Sequence, residues 1–160
     1  MAAKPNAAAD PRDAGTLGTR RPSLPLHLHP GYIAVVVLGG VPGALARYGL
    51  ELTLPAPAGW PLPTLVINLA GAFILGFLLE ALARRGADHG RRRLLRLLIG
   101  TGFVGAFTTY STFAVEADRL LASGRPLGAL AYLAATVIGG VLASVLGIWV
   151  ASVQRSRRSA

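Results

Sequence analysis

Cysteine is absent from the 160 residues, which excludes disulfides and thiolate metal sites. Charge is scarce as well. Only 14% of residues are charged, where a soluble domain carries about 25%. Acids are the rarer sign, seven against sixteen Lys and Arg, and the formal net charge is +9. None of the three histidines, His27, His29 and His89, lies in a segment predicted to cross a bilayer. Those segments contain no Ser–His or paired-Asp arrangement for hydrolysis, no cluster of metal ligands and no phosphate-binding loop. The chain reads as something other than an enzyme.

Hydrophobic residues make up 52% of the chain. Stretches free of Asp, Glu, Lys and Arg run over Pro22–Ala46, Leu52–Leu79, Leu97–Val115 and Pro126–Gln154. Each has room for a helix of roughly 20 apolar residues, the length that crosses a bilayer. The fold class predicted is an all-α integral membrane protein with four transmembrane helices, near residues 32–52, 62–83, 95–120 and 127–152. Together they form a membrane domain over 31–153. Residues 1–30 read as a disordered, functionally silent cytoplasmic tail, whose one apolar stretch is interrupted by Pro22, Pro25 and Pro30. Residues 154–160 read as a basic tail. Four single helices enclose little volume, so an oligomer is expected.

The net positive charge suggests nucleic acid at first sight, but the basic residues flank apolar spans, and the reading is membrane anchoring. Lys4, Arg12, Arg20 and Arg21 precede the first span. Arg84, Arg85, Arg91, Arg92, Arg93 and Arg96 join the second to the third, and Arg155, Arg157 and Arg158 follow the fourth. These thirteen face two, Arg119 and Arg125, on the other side. Such a bias predicts a plasma-membrane protein with both termini in the cytoplasm.

The third span carries the strongest internal conflict. Gly100, Gly102 and Gly105 weaken a helix by about 1 kcal/mol each relative to alanine, and Thr108, Thr109, Ser111 and Thr112 offer the backbone rival hydrogen bonds. A membrane segment built to come unwound generally lines a cavity or holds an ion. Unwinding of residues 102–109 would free backbone carbonyls for a cation. Tyr110 and Phe113 share a face three residues apart, and their positive ring edges suit a small anion. Glu116 and Asp118 follow and read as interfacial.

The other spans contribute smaller signals. Gly39, Gly40, Gly43 and Ala44 make a smooth face for close helix approach, and Pro42 is a site for a kink. Arg47 either serves an aqueous vestibule or pairs with Glu51 one turn on; both readings stand open. In the second span Asn68 shares a face with Thr64, Gly71 and Leu75, as interhelical glue or as an amide donor to a ligand. In the fourth, Tyr132, Thr136 and Gly140 recur every four residues. Pore lining and bonding to the helix's own carbonyls both fit that stripe.

These residues resemble the Fluc (CrcB) family of small fluoride channels. The resemblance rests on Gly39-Gly40, Gly43-Ala44 and Arg47-Tyr48, on Thr64 to Asn68 with Gly71, Phe73 and Gly76, and on Gly102 to Phe113 with Glu116. That last stretch is similar to the family pattern GFxGGxTTFSTF. The Tyr132–Thr136 spacing completes the match, which spans residues 32 to 152. The resemblance implies an antiparallel, dual-topology-type dimer with a broken third helix, two fluoride pores and a central structural sodium ion (Na+). By position, Gly105 and Thr108 carbonyls would bind sodium. Asn68, Tyr110, Phe113, Ser111, Thr112, Tyr132 and Thr136 would line the fluoride route, and Arg47 would lie near a vestibule.

Three departures from the pattern stand out. Tyr110 occupies a phenylalanine position, Ala106 replaces the second glycine, and Gly140 takes the place of a hydroxyl. The charge bias also conflicts with a chain that inserts both ways, so the expected second protomer is a companion paralogue of opposite bias. Partners are therefore fluoride, that protomer and the bilayer, with no nucleic acid. The rival readings are a small four-helix multidrug-type exporter, which would need an acid deep in helix 1 where only Glu51 lies at its end, and a non-conducting membrane scaffold.

Overall fold

A computed structural model describes residues 29–156, and within them every long element is a helix. Helix α1 covers Pro30–Thr53 and α2 covers Leu62–Ala83, joined by a short 3-10 turn at Pro57–Gly59. Helix α3, residues 91–107, opens with Arg91–Leu95, continues as a π-helix over Arg96–Val104 and ends at Gly105–Phe107. After a two-residue break, α4 runs over Tyr110–Ala122 and α5 over Pro126–Ser156. Four segments are long and apolar enough to cross a membrane: Pro30–Thr53, Leu62–Ala83, Arg91–Ala122 and Pro126–Val153. The predicted spans lie within them, and α1 starts at Pro30, a residue assigned above to the tail. Residues 1–28 of that tail and residues 157–160 of the basic C-terminus lie outside the described residues.

Glycine decides which helices touch. A Cβ at Gly39 would overlap the Leu98 carbonyl, and one at Gly43 would overlap that of Phe103. A Cβ on Gly102 would come 2.6 Å from Val36 O. The predicted smooth face of α1 therefore lies directly on the α3 backbone, a contact lipid-exposed helices achieve only with small residues. Helices α2 and α5 meet in the same way, with Gly76 against the Ser144 carbonyl and Gly147 against that of Phe73. Pro42 lies inside α1, which continues through it.

The expected interruption of the third span is present, confined to the last two residues of the 102–109 stretch. Gly100 and Gly102 stay helical, in the wider π form, because their buried faces are docked on α2 and α1. The chain leaves the helix only at Thr108 (φ −78°, ψ 159°) and Thr109 (φ −145°, ψ 123°). Glycine weakens the helix here; the extended residues are threonines, whose β-branched side chains tolerate that conformation.

Candidate functional site

The break is held by one side chain from α2. Thr109 N donates to Asn68 Oδ1 at 2.9 Å, and Asn68 Nδ2 donates to Thr109 O at 3.1 Å. Asn68 thus pairs with both main-chain polar groups of Thr109, its N–H and its C=O, as a neighbouring strand would. Beyond it, Thr109 caps α4: its Oγ1 accepts from Thr112 N at 3.2 Å and donates to Thr112 Oγ1 at 3.1 Å, with Ser111 Oγ 3.3 Å away. Gly71 leaves room for Thr108, whose methyl would overlap a Cβ there.

These bonds redirect two amide donors. In a continuous helix Thr109 N would go to Gly105 O and Thr112 N to Thr108 O. Here they serve Asn68 and the Thr109 hydroxyl, so Gly105 and Thr108 lose the donors that helix continuity would bring them. Between them, Ala106 O accepts from Arg47 Nε at 3.3 Å. Arg47 Nη1 also lies 3.6 Å from Glu51 Oε1, so the structure contains the ion pair weighed above together with a link to the break. Gly105 is exposed on the protomer surface with open space around its Cα.

From the break an aromatic and polar track leads along α4 and α5. Tyr110 is 81% exposed, and its ring centroid lies 6.1 Å from that of Phe113. Phe113 lies 5.3 Å from Tyr132, which meets Trp60 edge-on at 6.5 Å. Tyr132 is fully buried, and its hydroxyl donates to Glu116 Oε2 at 2.8 Å. Thr64, also buried, donates to Glu116 Oε1 at 2.9 Å. Thr136 Oγ1 donates to Tyr132 O at 2.8 Å, the bond to its own helix considered above. Glu116, read from sequence as interfacial, points inward because two hydroxyl donors wait for its carboxylate on α2 and α5. The signal available was its spacing, seven residues beyond Thr109, two helical turns below the break. The far side of Glu116 opens into a cavity of about 290 Å³ bounded by Trp60, Arg119 and Arg125.

Asn68, Thr108, Ser111 and Thr112 therefore gather at the break, with Tyr110 at its edge, while Phe113, Tyr132 and Thr136 form the second half of the track. Thr109 joins the first group, and Thr64 and Glu116 join the second through Tyr132; Thr64 and Thr109 were already on the faces that carry Asn68 and the hydroxyl cluster.

Four membrane spans, one of them interrupted and flanked by fixed polar groups, define a small membrane transport protein. The profile of the family described as CrcB-like protein, Camphor Resistance (CrcB), matches residues 34–148, and this chain belongs to that family. It is 48% identical over 130 residues to "Fluoride-specific ion channel FluC 2" of Leifsonia xyli, covering 81% of this chain and 90% of that one. It is 47% identical to "Fluoride-specific ion channel FluC 1" of Cutibacterium acnes, over 73% of this chain and 82% of the relative. With "Fluoride-specific ion channel FluC 2" of Geobacillus kaustophilus it shares 44% identity, over 78% and 95%.

Proposed function

We propose that this protein is a passive, fluoride-selective channel of the cell membrane that exports cytoplasmic fluoride. The observation that carries this reading is the Asn68-clamped break continuing into the Phe113–Tyr132–Glu116 track. Fluoride is small and strongly hydrated, so a selective path must replace its water with many modest donors that also let it leave. Hydroxyls, ring edges and the second N–H of Asn68 are of that kind. The names of the relatives support the choice of ion. Neutral HF crosses lipid and dissociates inside, and an inside-negative potential drives the anion out by about 2.3 kcal/mol per charge per 100 mV. No energy source beyond that potential is needed.

Helix α1 and the break leave an exposed face, and a second, antiparallel protomer seated there would complete the pores. The Gly105 and Thr108 carbonyls fit a structural sodium ion between two such protomers, since an unwound backbone that has lost its amide donors offers hard oxygen ligands. Sodium bound there would join the two breaks electrostatically. The bias of thirteen basic residues against two favours termini in the cytoplasm and a partner of opposite bias. The reading is tested by loading liposomes with fluoride or with chloride and recording efflux when an ionophore releases the counter-cation. Fast fluoride release with chloride retained is expected, with the chain alone or with its paralogue. Equal release of both anions, or proton-coupled release of an organic cation instead, overturns it.

A further inference from the structure

At the α2–α3 corner, a cavity of about 300 Å³ opens where the membrane spans end. Its floor is Leu79, Leu82 and Ala83 from the last turns of α2, and its rim carries Arg92, Arg96 and Asp88, the last already paired with Arg96. We propose that this crevice is a binding site for one anionic phospholipid, its phosphodiester held by the arginine rim and an acyl chain lying on the leucine floor. The site is independent of the fluoride pathway, and it would stand if that reading failed.

Three observations carry the assignment. The corner holds six arginines, Arg84, Arg85, Arg91, Arg92, Arg93 and Arg96, against two acids, Glu80 and Asp88. Both acids are already engaged: Glu80 with Arg84, and Asp88 Oδ2 with Arg96 Nη2 at 2.8 Å and Arg93 Nε at 3.7 Å. The positive excess therefore remains after every internal pairing. Second, the rim is ordered. Arg92 donates to the Arg85 carbonyl and Arg96 Nη2 to Asp88 Oδ2 at 2.8 Å, which fixes both guanidinium groups at the one opening. Third, the floor is apolar and lies in the final turn of a spanning helix, with Leu79 43% exposed and Leu94 and Leu95 exposed nearby. A soluble anion has no use for that floor; a diacyl phosphodiester matches both halves. Guanidinium forks bind phosphate bidentately, and basic pockets between spanning helices at this level are suited to acidic headgroups.

Native mass spectrometry of the full chain in mild detergent tests the site, with phosphatidylglycerol or phosphatidylcholine added at equal concentration. One retained phosphatidylglycerol per protomer is expected, at least tenfold above phosphatidylcholine. The double variant R92Q/R96Q should lose that preference, whereas R119Q/R125Q, with the same change in net charge at the other end, should keep it. Leu79→Asn, which makes the floor polar and leaves the rim intact, should cut retention several-fold. Circular dichroism of each variant establishes that the helices persist. Equal retention of the two lipids, equal loss from both arginine pairs, or full displacement by inorganic phosphate would each overturn the proposal.

Discussion

Asn68 holds the break in the third span with two hydrogen bonds. It supplies an acceptor to the N–H and a donor to the C=O of one residue, the buried Thr109. Removing it leaves a largely buried amide and carbonyl without partners. Asn68→Ala is therefore expected to cost about 2–4 kcal/mol, from two lost bonds and the desolvation left behind, and to reduce fluoride flux. Thermal unfolding in detergent and liposome efflux measure the two effects; an unchanged melting temperature would remove Asn68 from its place as the clamp. Tyr132 makes a similar case at the other end of the track. Tyr132→Phe keeps the ring against Phe113 and Trp60 but takes the donor from Glu116, for an expected cost of about 1–3 kcal/mol. If Thr64→Val, which takes the other donor, were neutral in both assays, the carboxylate would not depend on this pair.

Among the elements, α1 and α3 are joined backbone to backbone, and this makes the glycines unequal. Gly39→Ala or Gly43→Ala would drive a methyl into a main-chain carbonyl, which cannot rotate away. The expected cost is about 3 kcal/mol or more, the upper end of overpacking. Gly140 has no atom within 4 Å of a built Cβ, so Gly140→Ala should be neutral or stabilising by up to about 1 kcal/mol. Melting temperatures of the three variants in one detergent check the ranking. From the chain alone these glycines look the same: all lie on small-residue faces, and only the crossing of the helices separates them. The position of the break was half legible for a related reason. The glycines and hydroxyls announced an interrupted span, but which residue left the helix depended on where Asn68 arrived from α2. At the α2–α3 corner, the hydrogen bond from Arg96 holds the Asp88 carboxyl below its usual range. A carboxylate depressed in the folded state stabilises above its unfolded pKa, and that contribution fades as pH falls through the lower, folded value. NMR titration of Asp88 should accordingly show a midpoint below that of an Asp in a free peptide, and Arg96→Gln should move it up.

At the scale of the whole molecule, α1 and α5 carry long exposed apolar faces, which suit a lipid surround and, in the proposed dimer, a second protomer. Leu38, Val41, Leu45, Tyr48 and Leu52 alternate three and four residues apart along α1, all more than half exposed. The charge bias assigns a direction to the bundle. A tag at either end of the chain expressed alone should be accessible from the cytoplasmic side only. Neutralising the six arginines of the α2–α3 corner should produce a mixed population. Substantial dual orientation of the unaltered chain would instead favour a homodimer and remove the need for a companion.

Span number and span length follow from local quantities: runs of apolar residues and the charged residues between them. These add along the chain, so the order of the amino acids is enough to set them. The family likewise follows from residue order, because its pattern in the third span is contiguous. The role of Glu116 does not, nor does the bond from Arg47 to Ala106 O or the diversion of two amides from Gly105 and Thr108. Apart from the local cap of Thr112 N on Thr109 Oγ1, each joins groups from helices distant in the chain across 3 Å or so, and a hydrogen bond of that reach exists only once glycine faces have brought the backbones together.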